Sequence, residues 1–299
     1  MSTSTSTATR TPDHTAGHTA GHTAGHTAGP HPAPGVARAS AGAPRPARAV
    51  RPIPTTRLVG VELRKMFDTR AGFWLMASVG IVAVLASAAV ILWAPDEAIT
   101  LETFASAMGM PLSVVLPIIA ILSVTSEYSQ RTGLTTFTLV PWRGRVVAAK
   151  LVVAVAIGVA GMALALAVGV VGNLLASAVT GLDPVWDVSA LEFGRIVLAN
   201  VLGMLIGFTL GVLFRSSAGA VVGYFVYSLV LPGAFAALAA FQEWFRDLQP
   251  WVDVNYAITG LFNDTVTAEQ WQHLGVTTLV WLWIPLALGL RAVLRAEVK

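Results

Sequence analysis

The residues of this chain that could bind another molecule are concentrated in one polar stretch, residues 127–150. It contains an acid, a tyrosine and four cations, in the order Glu127, Tyr128, Arg131, Arg143, Arg145 and Lys150. Glu127 and Arg131 stand four residues apart, the spacing at which opposite charges pair on a helix. Two interpretations remain open on composition: a basic loop that fixes membrane orientation, and a surface on which another polypeptide docks.

Covalent chemistry finds little support in the sequence. There is no His-Glu-x-x-His or Gly-x-Ser-x-Gly motif, and His273 is the only histidine outside the N-terminal tail. The absence of cysteine removes disulfides, thiolate metal sites and thiol redox chemistry. No Gly-x-x-x-x-Gly-Lys-Ser/Thr loop occurs, so ATP is not bound by that route. We predict no catalytic residue, no metal site and no cofactor bound by this chain.

The elements around this stretch are predicted to be membrane-spanning helices. The chain is 55% hydrophobic and 12% charged, whereas soluble domains are about 25% charged. A spanning helix needs about 20 apolar residues. Six runs qualify: 73–94, 108–126, 151–179, 191–214, 218–241 and 274–294. We predict an all-α polytopic membrane protein whose long third run tilts or extends beyond the bilayer.

The positions of the charges predict the orientation. With a cytoplasmic N-terminus, all but two of the 19 Lys and Arg residues lie inside, the exceptions being Arg195 and Arg246. The polar stretch and the C-terminus are then cytoplasmic. This placement, rather than nucleic-acid binding, explains the net charge of +3. The preference for Arg over Lys, with abundant Ala, Val and Gly, suggests a bacterial plasma-membrane protein.

Two segments precede the first span. Residues 1–56 contain four consecutive His-Thr-Ala-Gly repeats and few core-forming residues, which predicts a disordered tail. A low-complexity extension is favoured over a metal-binding tail, because the repeated glycines oppose the helix that would align the histidines. The tail also lacks the apolar core of a signal peptide.

Residues 57–72 are predicted to form an amphipathic helix at the start of a domain covering residues 57–299. Val59, Leu63, Met66 and Phe67 recur at helical spacing, with Glu62 and Lys65 among the polar residues between them. The helix would lie along the inner membrane surface. An anchor and a docking element are both compatible with it.

The span centres contain no charged residue, which disfavours ion-coupled transport. Asn173 and Asn200 are interpreted as helix-to-helix hydrogen-bonding residues rather than substrate contacts. Gly203, Gly207 and Gly211 form a small-residue pattern that lets helices approach closely and leaves dimerisation open. The aromatic segment 242–273 is predicted to form short interfacial or re-entrant helices.

The polar stretch resembles the loop after the second span in membrane subunits of type-2 ABC exporters. The resemblance rests on Glu127-Tyr128-x-x-Arg131-Thr132-Gly133, then Leu134 and Phe137, then Pro141-x-Arg143 and Lys150. Permeases of this class commonly carry a similar Glu, Thr, Pro-x-Ser-Arg and Lys series. Here Trp142 stands where a small residue is usual. The similarity covers residues 57–299.

The resemblance implies an export mechanism. Two copies of the chain, or this chain and a related one, would pair with two cytoplasmic ATPase subunits that bind ATP and Mg²⁺. Residues 132–140 would form a coupling helix that inserts Leu134 and Phe137 into a groove of the ATPase. The leader helix, with Glu62, Lys65 and Phe67, would be the adjacent connecting helix. The expected cargo is amphipathic, lipid-like, peptide or drug-like.

Two other functions are weighed against export. A membrane scaffold or sensor would use the same docking surface and move no substrate. A small integral-membrane enzyme is disfavoured by the missing catalytic motifs.

Overall fold

A computed structural model describes residues 54–68, 70–129, 143–263 and 265–295. These residues form helices and no β-strand, apart from one isolated bridge between Thr100 and Val185. The predicted tail lies outside the described residues except for residues 54–56. The α-helices are α1 Thr55–Asp68, α2 Arg70–Trp93, α3 Leu101–Ser129, α4 Arg143–Thr180, α5 Ala190–Phe214, α6 Ser217–Phe225, α7 Leu231–Phe241, α8 Glu243–Val252, α9 Val254–Thr259, α10 Ala268–Thr278 and α11 Ile284–Arg295.

Within the described residues, six helical segments are long and apolar enough to cross a membrane, which confirms the predicted fold class. Four of them are parts of α2, α3, α4 and α5. The fifth joins α6 to α7 through a π-helical turn, Val226–Val230, and the sixth joins α10 to α11 through a second one, Leu279–Trp283. The chain is therefore a multi-pass helical membrane protein.

The third span is longer than the sequence predicted. α4 has 38 residues and begins at Arg143 rather than at residue 151. At 1.5 Å per residue it is about 57 Å long, whereas the hydrocarbon core of a bilayer is about 30 Å thick. The helix must therefore tilt or continue beyond the hydrocarbon. Lys150 lies two turns inside α4, not at its start.

α3 occupies the centre of the bundle and packs most extensively against α5. Two of the three glycines in the α5 pattern make this contact. A Cβ at Gly207 would lie 2.9 Å from the carbonyl oxygen of Pro117, and one at Gly211 would lie 3.3 Å from that of Ile121. Gly203, by contrast, faces open space. The small-residue pattern thus serves packing within one chain.

The two ends of the bundle differ in structure. At the end where α3 finishes and α4 begins, the hydroxyl oxygens of Thr125 and Ser217 are 2.7 Å apart. At the opposite end, residues 242–273 contain the predicted short helices, α8 and α9, although α10 begins at Ala268, earlier than expected. Their interfacial or re-entrant position stays a prediction. There the Asn173 amide donates to the Val185 carbonyl at 2.9 Å. That carbonyl belongs to the connection between α4 and α5, so the prediction of helix-to-helix bonding is wrong for Asn173.

Candidate functional site

The face of helix α1 that packs against the bundle contains both apolar residues and a buried acid, rather than apolar residues alone. Val59 and Met66 are partly buried against the core, and between them Glu62 is only 8% exposed. Leu63 and Phe67 are 40% and 51% exposed. The predicted apolar stripe is therefore divided. Val59, Glu62 and Met66, at i, i+3 and i+7, pack toward the bundle. The other two apolar residues, Leu63 and Phe67, face outward.

Glu62 is the centre of a buried ion-pair cluster, formed by Glu62, Lys65, Lys150 and the backbone carbonyl of Ser123. The Lys150 ammonium donates to Glu62 Oε2 at 2.5 Å and to the Ser123 carbonyl at 3.1 Å. Lys65 donates to Glu62 Oε1 at 2.8 Å. Lys150 is 5% exposed. The cluster joins α1 to the last third of α3 and the first third of α4.

The charges of the cluster compensate for their own burial. Burial by itself raises the pKa of Glu62, but the ammonium groups of Lys150 and Lys65 outweigh it and hold that pKa below its ordinary value. Glu62 is therefore ionised at neutral pH. A buried ion pair resists separation, because parting the two charges removes part of the compensation for their burial.

A second contact fixes α1 beside α4. The Arg145 guanidinium donates from Nη2 to the Thr55 hydroxyl at 3.0 Å. Thr55 and Glu62 of α1 thus meet Arg145 and Lys150 of α4, so the two helices run side by side in the same direction. The sequence does not predict that Thr55 and the Ser123 carbonyl accept hydrogen bonds from Arg145 and Lys150, because neither a single hydroxyl nor a backbone oxygen forms a recognisable sequence pattern.

The structure brings together three of the predicted site residues, Glu62, Lys65 and Lys150. Phe67 is adjacent but faces outward. Some predicted residues are described only by their backbone: Glu127 and Tyr128 belong to the last turn of α3, and Arg143 is the first residue of α4. The others lie outside the described residues, together with the predicted coupling helix and the Glu127–Arg131 pair: Arg131, Thr132, Leu134, Phe137 and Pro141.

Neither a scan against protein-family models nor a search of curated proteins finds a match for this chain. Among the described residues, no group of three or more His, Asp or Glu side chains is placed to hold a metal ion. The geometry thus shows charged groups that hold α1 to α3 and α4, the two helices on either side of residues 130–142 in the sequence.

Proposed function

We propose that this chain is the membrane subunit of an ATP-binding-cassette exporter, driven by a separate ATPase subunit that docks at residues 130–142. The observation that carries the proposal is the ion-pair cluster. It ties α1 to α3 and α4, the two helices that this loop joins. The residue series Glu127 to Lys150 adds support through its resemblance to exporter permeases.

The cluster suits the transfer of force from a docked subunit to the bundle. A push on the loop acts directly on the end of α3 and the start of α4. Glu62 makes α1 move with them, because moving it away from Lys150 would break a buried ion pair. α4 is one uninterrupted helix of 38 residues and could carry the movement to the opposite end of the bundle.

The remaining parts of the proposal follow from the sequence. ATP and Mg²⁺ belong to the partner, because the chain has no phosphate-binding loop. Both termini and the loop face the cytoplasm of a bacterial cell, and the bundle spans the plasma membrane. A second copy, or a related permease, completes the transporter. Apolar spans without central charges favour an amphipathic, lipid-like, peptide or drug-like cargo over a small ion. The outward direction rests on the resemblance alone.

If the ATPase docks at residues 130–142, a single substitution in this segment should release it. We expect Phe137→Asp to reduce the retained ATPase to less than about a tenth of the wild-type amount, because a charge replaces an apolar anchor at a helix-in-groove contact. Arg131→Glu should act in the same direction. The measurement is affinity purification of the tagged chain from its native membranes. Quantitative mass spectrometry would measure a phosphate-loop ATPase, and ATP hydrolysis would be assayed on the same sample.

The matched control is Phe241→Asp, which makes the same replacement at an 83% exposed position at the far end of α7. It should retain the ATPase fully. Recovery of no phosphate-loop ATPase with the wild-type chain would reject the proposal, as would equal retention by the Phe137 and Phe241 variants. Retained ATPase whose turnover responds to no lipid or amphipathic cargo would favour the scaffold function instead.

The proposed orientation predicts a pattern of chemical labelling, and a chain without cysteine is suited to measuring it. In intact cells, a membrane-impermeant maleimide should label Glu97→Cys and Asp247→Cys, both exposed positions at the end opposite the loop. Gln130→Cys should be labelled only after lysis. The reverse pattern would place the loop outside the cell and rule out a cytoplasmic ATPase at that surface.

A further inference from the structure

The half of the bundle away from the ion-pair cluster contains a cavity of about 440 Å³. Its walls are the first half of α3, the first half of α5, the junction of α6 with the π-helical turn, and α9. Met110 and Phe262 stand at its rim and are 79% and 55% exposed. The cavity therefore opens at the surface of the bundle.

The walls have the composition of a binding site for a neutral molecule. None of the described residues that line the cavity is charged, and its accessible surface is mainly apolar. Ligand sites typically combine such walls with a few polar groups that orient the ligand, in volumes of about 300–1,000 Å³. A charged ligand would find no counter-ion among these residues.

Two polar side chains in the wall, Tyr224 and Asn255, already donate hydrogen bonds to backbone carbonyls. Pro117 has no N–H, so the carbonyl of Ser113, four residues earlier in α3, lacks its helical donor. The Tyr224 hydroxyl donates to that carbonyl at 2.6 Å. Similarly, the Asn255 amide donates to the Tyr227 carbonyl in the π-helical turn at 3.2 Å. These bonds hold the wall in place.

Two other polar atoms of the wall have no partner. Asn200 is 7% exposed, and its amide donates at 3.0 Å to the carbonyl of Ile196 in its own helix. Its side-chain oxygen is buried and accepts no hydrogen bond, and the Ser228 hydroxyl is also buried without a partner. Both residues line the cavity. The predicted helix-to-helix bonding of Asn200 is therefore wrong.

The position of Ser228 strengthens this interpretation. It lies in the π-helical turn Val226–Val230, and such turns occur frequently at functional sites although they interrupt the regular helix. Tyr227 in the same turn contacts Trp281 of the second π-helical turn, with ring centroids 6.1 Å apart. Two irregular turns thus support one side of the cavity.

We propose that the cavity binds a neutral, largely apolar molecule whose hydroxyl or amide N–H donates a hydrogen bond to the side-chain oxygen of Asn200. The Ser228 hydroxyl makes a second polar contact. A buried acceptor favours a ligand that supplies a donor over one that does not, because the latter leaves the acceptor unpaired. This site goes beyond the proposed export function and does not depend on it, since binding needs no ATPase.

Photolabelling of the purified chain in nanodiscs tests the proposal with a matched pair of probes. One is a diazirine-bearing octanol and the other is its methyl ether, which has the same apolar part and no donor. We expect saturable labelling of α3, α5 and the π-helical turn by the alcohol, exceeding that by the ether by about tenfold. Equal labelling of the wild-type chain by the two probes would overturn the proposal.

Variants locate the site within the cavity. Asn200→Leu should abolish the difference between the two probes, and Gly203→Leu should abolish saturable labelling by filling the space that Gly203 faces. Gly194→Leu is the control, because it changes an exposed glycine of the same helix outside the cavity. Unchanged labelling in folded Asn200 and Gly203 variants would also reject the site. Neither outcome affects ATPase retention, so the two proposals fail separately.

Discussion

Glu62→Ala is expected to destabilise the folded chain by about 3 kcal/mol, because it removes a carboxylate from a buried ion-pair cluster. Lys150 is 5% exposed and would lose the Glu62 carboxylate. For a chain of this size, the change corresponds to a decrease in Tm on the order of 10 °C. Thermal unfolding in nanodiscs, followed by tryptophan fluorescence, measures it.

Two further variants test whether the destabilisation comes from breaking the buried ion pair rather than from losing a surface charge. Lys65→Ala removes a partner whose side chain is 44% exposed, so it should cost less than about 1 kcal/mol. Glu62→Leu combined with Lys150→Met should recover most of the stability, because apolar residues of similar volume can replace a buried pair. If Glu62→Ala and Lys65→Ala unfold at the same temperature, the cluster does not hold α1 to the bundle.

Gly207→Ala is the second substitution with a large expected effect, and it should destabilise the fold by about 1–3 kcal/mol through overpacking. The new Cβ would lie 2.9 Å from both the Cβ and the carbonyl oxygen of Pro117. A backbone carbonyl cannot turn aside as the end of a flexible side chain can. Helices α3 and α5 would have to move apart, and a lower Tm in the same unfolding assay would report the strain.

The same helix provides a matched control for this prediction. Gly203 belongs to the same small-residue pattern, but a Cβ there would meet nothing within 4 Å. Gly203→Ala should therefore leave the Tm unchanged or raise it slightly, since alanine favours the helix. Equal destabilisation by Gly203→Ala and Gly207→Ala would mean that the geometry of α5 itself, not its contact with α3, causes the loss of stability.

One helix, α3, connects the features on which the two proposals depend. Its first half lines the cavity, Pro117 in its middle meets Gly207, and Ser123 near its end accepts from Lys150. In the proposed exporter, a displacement at residues 130–142 would act on the cavity wall through this helix. The close contact with α5 would make the two helices move together.

The number of membrane-spanning helices could be predicted from the sequence because it depends on local properties. An apolar run of spanning length must satisfy its backbone hydrogen bonds internally, so each of the six runs forms a helix whatever its neighbours are. The short helices α8 and α9 and the helical leader also follow from local composition and spacing. Helix ends were less predictable. α3 begins seven residues and α4 eight residues before the corresponding predicted apolar run, since a helix continues where its ends find partners.

The pairing of helix faces was decided only by the tertiary structure. Glu62 and Lys150 are 88 positions apart in the sequence, and nothing local shows that the acid of α1 turns inward while Phe67 turns outward. Gly203 and Gly207 have the same pattern, yet one faces a cavity and the other a proline. In spans that are apolar on all sides, hydrophobicity does not say which face is buried. Each helix's rotation is set by contacts with distant segments, and those contacts create both the ion-pair cluster and the cavity.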